Sequence, residues 1–281
     1  DIHFEHTLAL KALEAGIHGL RLNPGNIRKA EDVREVVAMA KERGTPIRIG
    51  VNYGSVPPMP NEFVDEMAEQ NATQVELRAE WMVRTGLGHI KILEDLDFYD
   101  IKVSLKAFEV PVMIEAYRRF AALPNDYPLH LGVTEAGTPR AGSVRSAVGL
   151  GTLLALGIGD TIRVSLTTDP VEEVFVGFEI LKTLELRQKG ATMIACPTCG
   201  RVEVDLFTIA NQIDKFLETI KEPIRVAVMG CVVNGPGEAR DADVGLASGN
   251  AKGVIFRKGK IVKTVPENEM IDALKQEIYA V

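Results

Sequence analysis

The sequence predicts an α/β protein, an incomplete TIM-type (β/α)8 barrel followed by a smaller α/β domain. Three observations predict it. Five short β-rich runs, GLRLNPGN (19–26), PIRIGVNYGS (46–55), DIKVSLKAF (100–108), PLHLGVTEAG (128–137) and DTIRVSLTTD (160–169), each end in a turn built from small and polar residues, the mark of a strand entering a loop. Helical patterns alternate with them over 6–15, 30–43, two stretches around 61–96, 109–122, 141–156 and 171–188, and that alternation makes parallel βαβ units. Past Lys189 the texture changes. All three cysteines lie beyond it and all five histidines before it, so a boundary is expected there, giving domains 1–189 and 190–281.

The chain opens DIHFEHTLALKALEAG, which has the form of a strand cut near its end just before a helix. A further barrel strand cut at Asp1, and a missing N-terminal part, are therefore expected. The five complete strands share a period-2 pattern. One face carries Arg21 and Asn23, Arg48, Gly50 and Asn52, Lys102, Ser104 and Lys106, His130, Gly132 and Thr134, and Arg163 and Ser165. The alternate positions are aliphatic and suit a covering layer of helices. A barrel lumen lined this way is polar and basic where packed aliphatic layers are usual, and it calls for a compensating ligand. Beyond 190 the pattern reads as strand (191–195), cysteine loop, helix (206–219), strand (224–229), a second loop GCVVNGPGEARDAD, two strands (243–247 and 253–265) and a closing helix (267–279).

Whole-chain properties narrow the function classes. The 281 residues suffice for a full core. No apolar run approaches the roughly 18 residues of a membrane span, and no signal-peptide pattern opens the chain. A cytoplasmic setting with reduced thiols is expected, with no membrane partner. The net charge of −7 argues against a general nucleic-acid binder.

The cysteines fall in a C-x2-C-x31-C spacing, Cys196, Cys199 and Cys231, and both loops follow apolar strands. Ordinary thiols, structural zinc, a thioredoxin-like dithiol and an iron-sulfur cluster compete. Structural zinc usually takes four cysteines, or three with a histidine, and no histidine lies in this domain. A dithiol would use CPTC alone and leave Cys231 unexplained. An iron-sulfur cluster with three thiolates and a different fourth ligand draws in Glu238, which follows the tight NGPG turn and could fold back toward the metal.

CPTCGR (196–201) and GCVVNGPGEA (230–239), with the C-x2-C-x31-C-x6-E spacing, resemble the bacterial 4-hydroxy-3-methylbut-2-enyl diphosphate synthase family of the methylerythritol phosphate pathway. DIHF, RLNPGN, RIGVNYGS, VSLKA, VTEAG and GDTIRVSLT are similar to its successive barrel strand ends. The resemblance implies a [4Fe-4S] cluster held by Cys196, Cys199, Cys231 and Glu238, and the reductive ring opening and dehydration of 2-C-methyl-D-erythritol 2,4-cyclodiphosphate. It also implies flavodoxin or ferredoxin as electron donor, and a head-to-tail homodimer.

Each chemical requirement then has a candidate. Arg21, Arg48, Lys106 and Arg163 come from four strands and can converge on a diphosphate, for which guanidinium forks are well shaped. Asn23, Asn52 and Ser165 can add neutral hydrogen bonds, and Asn234 can touch substrate from the Cys231 loop. Lys102 and His130, nearer the strand starts, are read as structural. Glu135 in GVTEAG is the candidate proton donor, and Glu238 the displaceable ligand on iron, since a carboxylate is harder than a thiolate. The alternative from a different class is a non-catalytic iron-sulfur redox sensor beside an anion-binding barrel. The basic lumen and Glu135 count against it.

Overall fold

The structure, a computed structural model, describes residues 5–22, 29–231, 240–249 and 251–281. It forms two compact units, Asp1–Leu186 and Arg187–Val281. In the first, β1 (Leu20–Leu22), β2 (Ile47–Asn52), β3 (Ile101–Lys106), β4 (His130–Leu131) and β5 (Thr161–Ile162) alternate with helices. These are α1 (His6–Glu14), α2 (Ala30–Arg43), α3 (Asn61–Glu69), α4 (Gln74–Glu94), α5 (Val110–Ala121), α6 (Pro139–Ala155) and α7 (Pro170–Thr183). Parallel ladders join β1 to β2, β2 to β3 and β4 to β5, and a single Val103–Leu129 bridge links the two sets. The strands thus lie side by side in chain order. Among the described residues no pairing joins β5 to β1.

The helices cover the aliphatic face. Leu20, Leu22, Ile47, Ile49, Val51, Ile101, Val103, Leu105, Leu129, Leu131, Val133 and Val164 are all buried, while Ile162 and Leu166 pack partly buried against them. This is the expected alternation, with period 2 separating core from lumen on every strand. Local chemistry fixes the helix ends. Thr73 and Glu76 form a reciprocal capping box at the start of α4, Asp169 caps α7 through the Val171 N–H, and α2 stops at Gly44 in the left-handed conformation. The helix expected over 171–188 is shorter, because α7 ends at Thr183.

In the second unit β6 (Thr192–Ala195), β7 (Arg225–Met229) and β8 (Val244–Gly249) are parallel, and β9 (Lys252–Arg257) and β10 (Lys260–Pro266) continue the sheet antiparallel. The helices α8 (Leu206–Leu217) and α9 (Met270–Tyr279) bury Ile209, Ile213, Leu274 and Ile278 against Val226, Val228, Val244 and Leu246. One expectation is corrected here. Residues 253–265, read as a single strand, are a hairpin that turns at Lys258 and Gly259, both with positive φ (46° and 73°), the conformation of a tight two-residue hairpin turn.

On the opposite sheet face the Phe256 ring lies over Gly245. A β-carbon at Gly245 would stand 2.7 Å from Phe256 Cε2, nearer still to Cζ, and 2.8 Å from Ala227 Cβ. We predict that Gly245→Ala costs about 1–3 kcal/mol through this overpacking, read as a lower urea midpoint; an unchanged midpoint refutes the contact.

Candidate functional site

The ladders place the lumenal side chains in rows. Arg21, Arg48 and Lys102 share the first, and Gly50 and Ser104 the second. The third holds Asn52 and Lys106. Carried across the Val103–Leu129 bridge and the His130–Thr161 pair, the same register aligns His130 and Thr161 with the second row, and Gly132 and Arg163 with the third. Arg21 and Arg48 do not stay in their row. Arg21 Nη2 donates to the Gly50 carbonyl at 2.8 Å, and Arg48 Nη1 donates to Ser104 Oγ at 2.8 Å.

Two glycines give the cations room. A β-carbon on Gly50 would run into the Arg21 guanidinium, 2.9 Å from Cζ and closer to Nε; one on Gly132 would lie 2.7 Å from Lys106 Nζ and 2.9 Å from the Arg163 carbonyl oxygen. Both stand in the lumenal half of the period-2 pattern, but their role as clearance depends on side chains from neighbouring strands.

Among the described residues none of Arg21, Arg48, Lys106 or Arg163 is paired with a carboxylate. Lys106 is only 6% exposed. Its burial, reinforced by repulsion from Arg48, Arg163 and Arg21, pushes its ammonium down to about 7. Burial and the neighbouring Arg21 lower Arg48 to about 10, with Tyr117 opposing and Arg163 adding, so Arg48 is still a cation at neutrality. Arg21 is lowered by burial alone. His130 is driven down to about 3 by burial and then by Lys106, Arg48, Lys102 and Arg163; its Nδ1 lies 2.9 Å from Thr161 Oγ1. The imidazole is therefore neutral and adds no charge at pH 7.

The structure brings Arg21, Arg48, Lys106 and Arg163 together, with Arg163 the most open of them, and Asn52 stands beside Lys106. Ser165 is half-buried just past β5. Asn23, Asn234 and Glu238 lie outside the described residues. Glu135 is exposed on the loop after β4, held at φ 57°, a left-handed conformation uncommon for a non-glycine residue and frequent where function requires it. Two hydrogen bonds pin the residues that follow Glu135. Arg145 Nη1 donates to the Ala136 carbonyl at 2.7 Å and lies over the Phe108 ring, and the Thr167 N–H donates to the Gly137 carbonyl at 2.9 Å. Sequence reasoning missed Arg145, whose only signal was its position in the helix after the GVTEAG loop. A separate cavity of about 450 Å³, lined by Gly16, Ile17, His18, Arg43, Gly44 and Thr45, lies at the strand-start end and contains none of these residues.

In the second unit, β6 and β7 deliver the cysteine loops to the same end of the sheet. The Ala195–Val228 pair ends the β6–β7 ladder, Cys196 follows β6 directly, Gly230 follows Met229 at the end of β7, and the Gly230 N–H donates to Cys196 Sγ at 3.2 Å. Cys196, Cys199 and Cys231 are all free thiols. Hydrogen bonds from the Arg201 backbone and side chain hold the Cys199 thiol below its ordinary range. No three of His, Cys, Asp and Glu converge on a metal-sized site among the described residues, which omit Glu238.

The comparisons with known proteins agree with this geometry. Residues 1–178 match the GcpE TIM-barrel domain and residues 192–280 the GcpE protein C-terminal domain. The chain belongs to the GcpE family. Among curated members, the 4-hydroxy-3-methylbut-2-en-1-yl diphosphate synthase (flavodoxin) of Dehalococcoides mccartyi strain BAV1 is 58% identical over 278 residues, 99% of this chain and 76% of that protein. The proteins of the same name from Bacillus pumilus and Geobacillus thermodenitrificans are each 55% identical over 99% of this chain, which covers 72% and 71% of their lengths. No described helix is long and apolar enough to cross a membrane.

The depressed Lys106 ammonium has a signed consequence. Between about 7 and its unfolded value of 10.5, the unfolded chain binds the proton that the folded chain has shed, so stability rises with pH across that window. We expect the urea midpoint to climb from pH 7 to 9 in the absence of anions, and Lys106→Met to flatten that climb. The same slope in both proteins would show that Lys106 is not the titrating group.

Proposed function

We propose that the chain acts as a 4-hydroxy-3-methylbut-2-enyl diphosphate synthase, opening 2-C-methyl-D-erythritol 2,4-cyclodiphosphate reductively with loss of water. The observation that carries the reading is the group of cations around the buried Lys106, without carboxylate partners among the described residues, in a chain 58% identical to a protein of that name. A cyclic diphosphate supplies the negative charge this lumen lacks. Arg21, Arg48 and Arg163 would grip phosphoryl oxygens with their forks, and Asn23, Asn52 and Ser165 would complete the hydrogen bonding. Lys106 would regain its proton as phosphate approaches, since an anion raises the pKa of the ammonium it touches. Glu135, on a loop fixed by Arg145, would deliver the proton to the departing oxygen.

The residues of the second unit fit an iron-sulfur group. Three free thiols stand at the ends of two adjacent parallel strands, and a backbone N–H already donates to one sulfur, as iron-bound thiolates accept such bonds. Cys196, Cys199, Cys231 and Glu238 would hold a [4Fe-4S] cluster, which when bound supplies the electrons for the reduction. Glu238 is the ligand suited to yield to substrate, because its oxygen binds less tightly than thiolate sulfur. Asn234 would contact substrate from the same loop. The same reading carries flavodoxin, the donor printed in the relatives' names, or ferredoxin, and the head-to-tail homodimer.

Anaerobically purified protein should contain iron and acid-labile sulfide in equal amounts, and should turn over the cyclodiphosphate with a strong reductant. Glu238→Ala should keep iron and sulfide while losing turnover roughly 100-fold or more. Zinc in place of iron, or full turnover by the variant, would overturn the assignment.

A further inference from the structure

The ladder between β2 and β3 runs unbroken from the Ile47–Ile101 pair to the Asn52–Lys106 pair. Between β3 and β4 it is interrupted. The Val103 N–H donates to the Pro128 carbonyl at 2.9 Å beside the Val103–Leu129 bridge, and the same register resumes where the Thr134 N–H meets the Ala107 carbonyl at 3.4 Å. The rung between these would run from the Leu105 N–H to the His130 carbonyl. A hydroxyl occupies it. Leu105 N–H donates to Tyr117 Oη at 2.9 Å, and that hydroxyl donates to the His130 carbonyl at 2.6 Å.

Tyr117 belongs to α5, the crossover from β3 to β4, and is fully buried. Its insertion leaves no backbone group orphaned, but it stops the two strands from closing to the usual spacing of about 4.8 Å at that level. The next lumenal pair along the strands is Lys106 and Gly132. There the clearance is already minimal, because a β-carbon on Gly132 would stand 2.7 Å from Lys106 Nζ. The ammonium faces Arg21 from β1, Arg48 from β2, Arg163 from beyond β5 and the neutral His130 imidazole of β4. Asn52 pairs with Lys106 across the β2–β3 ladder, Ser104 accepts from Arg48, and the Tyr117 phenol accepts from the Leu105 N–H one residue before Lys106.

We infer that Tyr117 is a positioning residue: its hydroxyl holds β3 and β4 apart at the rung beneath Lys106 and Gly132, and so keeps the Lys106 ammonium among the three arginines, where an anionic ligand is bound. The inference rests on the anion site proposed above. Without the hydroxyl the vacated rung closes to a direct Leu105 N–H to His130 carbonyl bond, which the register already aligns. Gly132 then moves toward Lys106 and displaces the ammonium toward water.

The test uses the full chain, Tyr117→Phe, and two readouts. One is the pH profile of Lys106 acylation by an amine reagent without anions, followed by peptide mass spectrometry; the other is calorimetric titration with inorganic pyrophosphate, with Arg48→Ala as the site control. In the parent chain Lys106 should become half-reactive near pH 7. In Tyr117→Phe that midpoint should rise by about one unit or more, and pyrophosphate should bind roughly ten-fold more weakly. An unmoved labelling profile overturns the inference. If the parent chain does not bind pyrophosphate, the anion-site reading falls, while the labelling profile still decides the role of Tyr117. Should Tyr117→Phe fail to fold, Gly132→Ala brings the same encroachment from the other strand; a Lys106 profile that it leaves unchanged also overturns the inference.

Discussion

The constraint on which the first unit is built is the burial of like charge. Lys106 and Arg48 lose hydration and face other cations, and both effects lower their affinity for protons. Neither effect is offset by an acid among the described residues. Natural proteins usually pair buried charges, since an unpaired one costs several kcal/mol. A fold that keeps such a group gives up stability for a site whose compensation comes from outside, the trade expected where binding outranks rigidity.

The neighbouring groups are consistent with that trade. Arg21 donates to a backbone carbonyl and Arg48 to a serine hydroxyl, acceptors that fix a guanidinium without neutralising it. A carboxylate in either place would hold the side chain equally well and would cancel the field that draws an anion in. His130 contributes in the opposite sense. Kept neutral, it fills the second row without adding to the repulsion. The conformational cost at Glu135 follows the same logic, because a left-handed glutamate persists only where its surroundings hold it, and here Arg145 and Thr167 hold the adjoining carbonyls.

Much of this was legible in the sequence because strand periodicity is local. Alternation alone separates Ile47, Ile49 and Val51 from Arg48, Gly50 and Asn52, and the structure buries the first set. What escaped depends on residues distant in sequence. The spacing around Gly132 is set by Lys106 and Arg163, and the broken rung at Leu105 by a tyrosine on the crossover helix; no window along one strand contains that information. The missed hairpin is different in kind. Lys258–Gly259 is a local signal, a short polar-glycine pair between two β-rich runs, overridden by the continuous apolar pattern on either side.

The second unit meets a related demand with sulfur in place of nitrogen. Its thiols need to stand at one sheet end, and the parallel β6–β7 register secures this, since Ala195 at the end of β6 pairs with Val228, one residue before the end of β7. A slip of one residue would turn each side chain to the other face, moving Cys196 away from the Gly230 N–H that now reaches its sulfur. Bulk at Gly230 is blocked as well, because a β-carbon there would lie 2.9 Å from both Leu206 Cδ2 and Val202 Cγ2. The helix α8 that buries Leu206 therefore bears on the strand end from which Cys231 departs. Packing of an ordinary aliphatic core and placement of the thiols are one constraint in this unit, as clearance for cations and strand spacing are in the other.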